Sequence, residues 1–272
     1  YQVAKHSIQK HNPDIKVYPL KLDTLKEIGA YTRDVDKKAS TEFTFSRFMV
    51  PYLTGYKGWA LFIDCDFLCK VDLKQLFNQA NDNYAVMVAK HDYTPKEGTK
   101  MDGKKQLQYP RKNWSSCVLW NCEHPANKLL DLNALNSNDG LWHHRFVWCA
   151  DNEIGQLSHE WNWLTDWYEE PTDGSPKMLH YTEGGPWFEH LQDVPYAQDW
   201  REKLNTLMFK GLVKGPDHNE PWPWTQTDDV IDNFDTLQPF FTQLSKIDDT
   251  SDLKDNKIFT SENQRLNIPE LQ

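Results

Sequence analysis

The chain has 272 residues, 39% of them hydrophobic, and a formal net charge of −10. That length supports one sizeable core, no apolar run approaches the roughly 20 residues a membrane-crossing helix needs, and the acidic balance excludes a broad nucleic-acid face built from clustered Lys and Arg. A local basic pocket for a single diphosphate stays compatible with it.

In chain order, residues 2–11 read as a helix that ends before Asn12-Pro13, and residues 15–20 as a strand. Residues 41–53 read as a helix with Phe45, Phe48, Met49 and Tyr52 on one face, feeding a strand at 59–64. A helix restarts over 72–79, strands come next at 84–89 and 116–120, and then a helix at 125–133. Strands separated by helices of this length predict an α/β fold, a mostly parallel sheet with helices on both faces. No internal repeat or flexible linker divides the chain. The expectation is a main domain over 1–195 and a helical or irregular C-terminal extension over 196–272, with the last ~35 residues polar enough for a loosely packed tail. Five cysteines (Cys65, Cys69, Cys117, Cys122 and Cys149), an odd number at irregular spacings, fit reduced thiols in a cytoplasmic protein.

The most informative segment is Trp59-Ala-Leu-Phe-Ile-Asp64-Cys65-Asp66-Phe67. A buried apolar strand has no internal use for acidic residues, because ionised carboxylates are costly to bury unless paired or metal-bound. Side chains alternate along a strand, so Asp64 and Asp66 share a face and can point at one divalent cation bridging a diphosphate. The alternative is an aspartate turn closing a strand. Downstream, Lys177-Met-Leu-His180 ends a short apolar stretch in an imidazole, and Gly184-Gly185-Pro186-Trp187 comes after it, backbone that can approach a phosphate closely. Twelve tryptophans, all but Trp59 at or beyond position 114, offer faces for sugar rings and equally offer core material. Trp161-Asn-Trp163 and Pro221-Trp-Pro-Trp224 can each wall an acceptor cleft or anchor the fold.

Together these segments resemble the family 8 glycosyltransferases, retaining nucleotide-sugar enzymes of the GT-A fold. The resemblance covers about residues 1–190 and runs in the family's order. Thr41-Glu-Phe-Thr-Phe-Ser-Arg47 looks like the helix whose Arg reaches the donor site. Residues 59–73 look like the family's metal-binding strand and the helix after it. Asn113-Trp-Ser115-Ser116-Cys-Val-Leu-Trp-Asn121 is similar to the family's run of small residues leading into a strand. Ala150-Asp151-Asn152-Glu153 resembles the stretch carrying the catalytic-face carboxylate and amide. Trp161-Asn162 looks like the family's Trp-Asn pair, and residues 180–187 resemble its closing His-to-Trp motif.

The resemblance implies Asp64, Asp66 and His180 as ligands of Mn²⁺ or Mg²⁺, and a UDP-sugar donor held by Arg47, Asp64, Cys65, Asp66, Asn113, Ser115, Ser116, Gly184 and Gly185. It implies Asp151 and Asn152 on the reacting face of the sugar, and a saccharide or glycoconjugate acceptor. Residue by residue, other roles stay open: Arg47 can simply orient Asp64, Asp151 and Asn152 can cap a helix, and Ser115 and Ser116 suit a strand start. His143 and His144 are candidates for an acceptor cleft. Two departures stand out. The family's closing motif carries a Gly and then a diphosphate-gripping Lys where this chain has Glu183 and Gly185, leaving the charge to a metal, to backbone N–H groups or to a cation such as Lys177. The family also opens with a nucleotide-binding strand, whereas the present sequence reads as starting in the helix after it. Both departures favour a rival reading, a nucleotide-sugar or carbohydrate-binding protein without turnover. A phosphoesterase is a further rival and predicts ligands for a second metal.

Overall fold

A computed structural model of the chain describes residues 1–34, 44–92, 111, 113–169, 176–213 and 257–261. Helix α1 (Gln2–His11) buries Val3, Ala4, Ser7 and Ile8 along one face. It stops where Pro13 disfavours helical geometry at Asn12, whose side chain bonds back to Ile8 O at 2.9 Å and accepts Leu73 N–H at 2.7 Å. Strand β1 (Lys16–Leu20) and helix α2 (Leu22–Glu27) come next. The single helix expected over 41–53 is not formed: a 3₁₀ turn (Ser46–Met49) leads into α3 (Val50–Leu53). Pro51 explains the break, because its ring conflicts with the carbonyl four residues back and it has no N–H to donate. Residues 41–43 lie outside the described residues.

The chain goes on through β2 (Trp59–Ile63), β3 (Phe67–Cys69), α4 (Lys74–Phe77), β4 (Val86–Ala89) and β5 (Cys117–Asn121). The helix expected over 125–133 is instead a 3₁₀ turn (Pro125–Leu129) and then α5 (Leu132–Ser137). Asp131 separates the two, because its carboxylate accepts the Ala134 N–H at 2.8 Å and restarts the helix as an N-cap. The remaining elements are α6 (Gly140–His144), β6 (Ile154–Leu157), β7 (Trp163–Leu164), β8 (Met178–His180), α7 (Ala197–Phe209) and β9 (Lys257–Ser261).

The main sheet has the order β1-β9-β2-β5-β4-β6, with every strand parallel except β5, and a smaller sheet has the order β3-β8-β7. The period-2 alternation divides the core into two layers. Ala60, Phe62, Val86, Val88, Val118, Trp120 and Phe259 face one layer, with Phe48, Leu25 and Leu135 from the helical segments on that side. Leu61, Ile63, Met87, Cys117, Leu119 and Ile258 face the other, with Ile8 of α1 and Leu76 of α4. The mixed α/β architecture with helices on both faces is therefore as expected.

One expectation changes. The polar C-terminal stretch expected as a loose tail contributes β9, which is buried in the sheet, with Ile258 at 0% and Phe259 at 1% exposure. The position between β1 and β2 is filled by β9 in parallel register with both (Val17↔Ile258 and Leu61↔Ile258). The physical reason is the slot itself: two parallel apolar strands leave a double row of unpaired backbone groups that a short Ile-Phe-Thr strand satisfies. Helix α7 also packs inward, burying Trp200, Leu204 and Leu207 against Val3, Leu68, Leu179 and Tyr181.

Candidate functional site

The carboxyl end of β2 delivers Asp64, whose N–H donates to Ser116 O at 2.9 Å. Asp66 stands immediately before β3, and β3 pairs antiparallel with β8 in a register that sets Phe67 opposite His180. One strand switch thus brings both carboxylates beside an imidazole far downstream in the chain. Asp64, Asp66 and His180 offer ligand atoms that all lie within 4.8 Å of one another, the one such group among the described residues. His180 Nε2 is 3.6 Å from Asp66 Oδ1, and the His180 ring stacks on Phe67 with centroids 4.3 Å apart and a 17° tilt. Asp66 Oδ1 is buried with no hydrogen-bond partner. An orphaned carboxylate oxygen beside an imidazole and a second carboxylate fits a divalent cation.

The electrostatics arise from burial and neighbours. Burial pushes the Asp64 carboxyl up, against the lowering field of Arg47, and Asp66 adds to the rise. Burial raises Asp66 as well, but the nearby His180 imidazole, with backbone help, outweighs it and holds Asp66 below the usual carboxylate range.

Behind the cluster lies a polar frame. Arg47 places Nη1 3.1 Å and Nη2 3.0 Å from the two oxygens of Asp64, while Nε donates to Thr44 O and Nη1 to Ser115 O. Arg47 is itself buried and pairs with Asp64, the geometry that an orienting role requires. Asn113 adopts a left-handed backbone (φ 63°), and its carbonyl accepts from Ser116 Oγ–H. Ser115 Oγ lies 2.8 Å from His144 Nδ1, and Ser116 Oγ accepts from Asn162 Nδ2 at 3.0 Å. Both serines are buried with their hydroxyls engaged by protein, whereas Asn113 Nδ2 is buried without a partner. Cys65 is buried between the two aspartates in sequence, and none of the five cysteines forms a disulfide.

The other expected residues are not among the ligand atoms of the cluster. Asp151 and Asn152 are exposed in a 3₁₀ turn before β6, and Asp151 pairs with Arg111. His143 is fully buried among Phe45, Phe48 and Trp142, which removes it from an acceptor cleft. Lys177 is paired with Glu160 at 2.6 Å over the Trp161 ring. Gly184 uses a positive φ of 116°. At Gly185 an added Cβ would run into the Trp187 ring, and that ring is held against Trp200 (4.4 Å) and Tyr181 (5.8 Å). Any side chain at position 185 would thus have to displace an aromatic ring. Residues 221–224 lie outside the described residues.

Sequence reasoning missed two groups. Asn162 bonds His180 Nδ1 at 2.8 Å, and only its place in the resembling Trp-Asn pair hinted at it. His91 lies 2.6 Å from Tyr168 Oη and stacks on His159, and burial, reinforced by His159 and His180, pushes it down to about 3. Its only signal is position, two residues past the carboxyl end of β4.

No family model matches the chain. Among solved structures it is similar to the glycosyltransferase GlyE of Streptococcus pneumoniae TIGR4 (TM-score 0.45, 16% identity, 77% of this chain) and spans 60% of that protein's length. It is also similar to the galactosyltransferase LgtC in complex with donor and acceptor sugar analogues (TM-score 0.42, 12% identity, 75% of this chain and 90% of that one). Likenesses below a TM-score of 0.5 carry no functional weight. No helix among the described residues is long and apolar enough to cross a membrane. Protein CDI of Arabidopsis thaliana is 46% identical over 208 residues, covering 75% of this chain and 80% of that protein, and the chain belongs to the Protein CDI family.

Proposed function

We propose that the chain is a metal-dependent glycosyltransferase of the GT-A type that moves a hexose from a UDP-sugar to a saccharide acceptor with retention. The observation that carries this reading is the convergence of Asp64, Asp66 and His180 beside the carboxyl end of β2, where mostly parallel sheets bind ligands. Two carboxylates suit Mn²⁺ or Mg²⁺, and the imidazole favours Mn²⁺. When bound, the ion stabilises the negative charge that develops on a nucleoside diphosphate leaving group.

The chain's own residues have separable tasks in this reading. Arg47 aims Asp64, and the Phe67 ring fixes the plane of His180. Asn113 offers its buried, unpaired Nδ2 to a donor hydroxyl, and Ser115 and Ser116 hold the wall behind it. Backbone at Gly184, and at Gly185 on the side that Trp187 does not cover, lets a diphosphate approach closely. Asp151 and Asn152 bind donor-sugar hydroxyls on the reacting face, and no covalent intermediate is assigned. A cytoplasmic setting, where nucleotide sugars are available, belongs to the same reading.

One observation favours a second reading, a nucleotide-sugar or carbohydrate-binding protein without turnover. A side chain at position 185, where the resemblance expects a diphosphate-gripping Lys, would run into the Trp187 ring. Incubation with a panel of UDP-hexoses and Mn²⁺ separates the two. UDP release that stops with EDTA and in Asp66→Ala supports transfer, and retained anomeric configuration in the product supports retention. UDP-sugar binding without release moves the assignment to the binding protein.

A further inference from the structure

Asn162 is fully buried and touches both halves of the candidate centre. Its Nδ2 lies 3.2 Å from the carbonyl oxygen of Asn113 and 3.0 Å from Ser116 Oγ, and its Oδ1 lies 2.8 Å from His180 Nδ1. A peptide carbonyl only accepts, so the amide nitrogen must face Asn113 and the amide oxygen must face His180. An amide oxygen also only accepts. The proton of a neutral His180 ring therefore sits on Nδ1, and Nε2 presents a bare lone pair. Nε2 is the nitrogen 3.6 Å from Asp66 Oδ1, inside the cluster. The ring cannot turn over to exchange its nitrogens, being 2% exposed and stacked on Phe67.

We propose that Asn162 is a positioning residue that fixes His180 in the Nδ1-protonated tautomer and so delivers Nε2 as a metal ligand. This rests on the metal-centre reading above. The same amide links the two ligand-bearing segments, because Ser116 takes one of its hydrogen bonds and also accepts the Asp64 N–H through its carbonyl. Hydrogen bonds of this outer kind orient a ligating imidazole and raise its basicity.

Two measurements on the full chain test the assignment. The first is the ring-nitrogen spectrum of the ¹⁵N-labelled, metal-free protein, taken at a pH high enough for the His180 ring to be neutral, with His180 identified by the signal lost in His180→Gln. Nδ1 protonated and Nε2 bare is the expected state of that neutral ring. A neutral ring that carries its proton on Nε2 overturns the assignment, and this readout needs no variant at position 162. The second is Mn²⁺ affinity by calorimetry in the presence of UDP for the wild type, Asn162→Leu and Asn162→Asp. Aspartate can accept from His180 Nδ1–H but cannot donate to Asn113 or Ser116. Action through His180 predicts a loss of about 10- to 100-fold in the Leu variant and recovery to within a few fold in the Asp variant. Equal loss in both means that Asn162 only holds the Asn113 loop, and overturns the assignment. Wild-type binding that is indifferent to both variants overturns it alone, whereas a wild type that binds no Mn²⁺ sinks the metal-centre reading and takes the assignment with it.

Discussion

Arg47 and Asp64 form a two-pronged pair, with Nη1 and Nη2 of one at 3.1 and 3.0 Å from the two oxygens of the other, and both side chains are largely withdrawn from water. The pair explains how two carboxylates coexist at one strand end: Asp64 is neutralised by the guanidinium, while Asp66 faces the His180 ring instead. Arg47→Met keeps much of the volume but leaves Asp64 buried without its counter-charge. We expect a loss of about 3 kcal/mol in denaturant unfolding, the scale for breaking a buried pair from one side, together with weaker Mn²⁺ binding. Unchanged unfolding would show that the fork contributes nothing to the fold.

β9 supplies a second prediction. Phe259 is buried against Tyr18, with ring centroids 5.5 Å apart, and its strand is hydrogen-bonded to β2, which carries Asp64 at its end. Phe259→Ala should cost about 3–5 kcal/mol, as for other buried phenylalanines cut to alanine, measured by chemical denaturation. It should also weaken metal binding at the end of β2. A variant as stable as the wild type would mean that the strand is dispensable to the sheet.

Restoring the residue that the family resemblance expects at position 185 should fail. Gly185→Lys drives a Cβ into the Trp187 ring, which Trp200 and Tyr181 hold in place, so a loss of roughly 1–3 kcal/mol is expected from overpacking. Combining it with Trp187→Ala opens the space. Melting temperature and UDP affinity, read for both variants, decide the point: a single substitution that tightens UDP binding without loss of stability contradicts the packing account.

Acid sensitivity is expected from His143. Burial pushes this imidazole down to about 4 from its ordinary 6.5, with Arg33 adding to the fall and the Asp139 carbonyl opposing it. Between those values the unfolded chain binds the proton and the folded one does not. Stability therefore rises with pH across this window and is lost as pH falls from about 6.5 towards 4, by at most about 3 kcal/mol at 1.4 kcal/mol per unit. His143→Phe removes the group from a site already lined by Phe45 and Phe48. Its stability should fall less steeply than that of the wild type over the same window, and parallel pH profiles would rule out His143 as the source.

How far each feature could be read in advance depended on how local its cause was. Asp64 and Asp66 were legible because two acids at period 2 after an apolar run are a local contradiction that needs an explanation. His180 was legible only through the resemblance, since nothing near it in sequence shows that β8 pairs with β3. Asn162 is hydrogen-bonded to a carbonyl 49 positions away and a ring 18 positions away, separations no pattern in the chain records. β9 was misread because Ile-Phe-Thr sits in a polar stretch, and its strand conformation comes from the slot between β1 and β2. The break before Pro51 was local, and the proline should have ended the helix reading over 41–53. The Trp187 ring beside Gly185 was beyond reach, because a glycine alone does not say what fills the space next to it.

The most direct test of the central claim is calorimetric titration of UDP into the full chain, with and without Mn²⁺, with Asp66→Ala titrated in parallel. The account predicts binding that requires Mn²⁺ and disappears in the variant, since Asp66 contributes the carboxylate oxygen left without a partner in the cluster. Metal-independent binding, binding that survives in Asp66→Ala, or no binding by the wild type would contradict it.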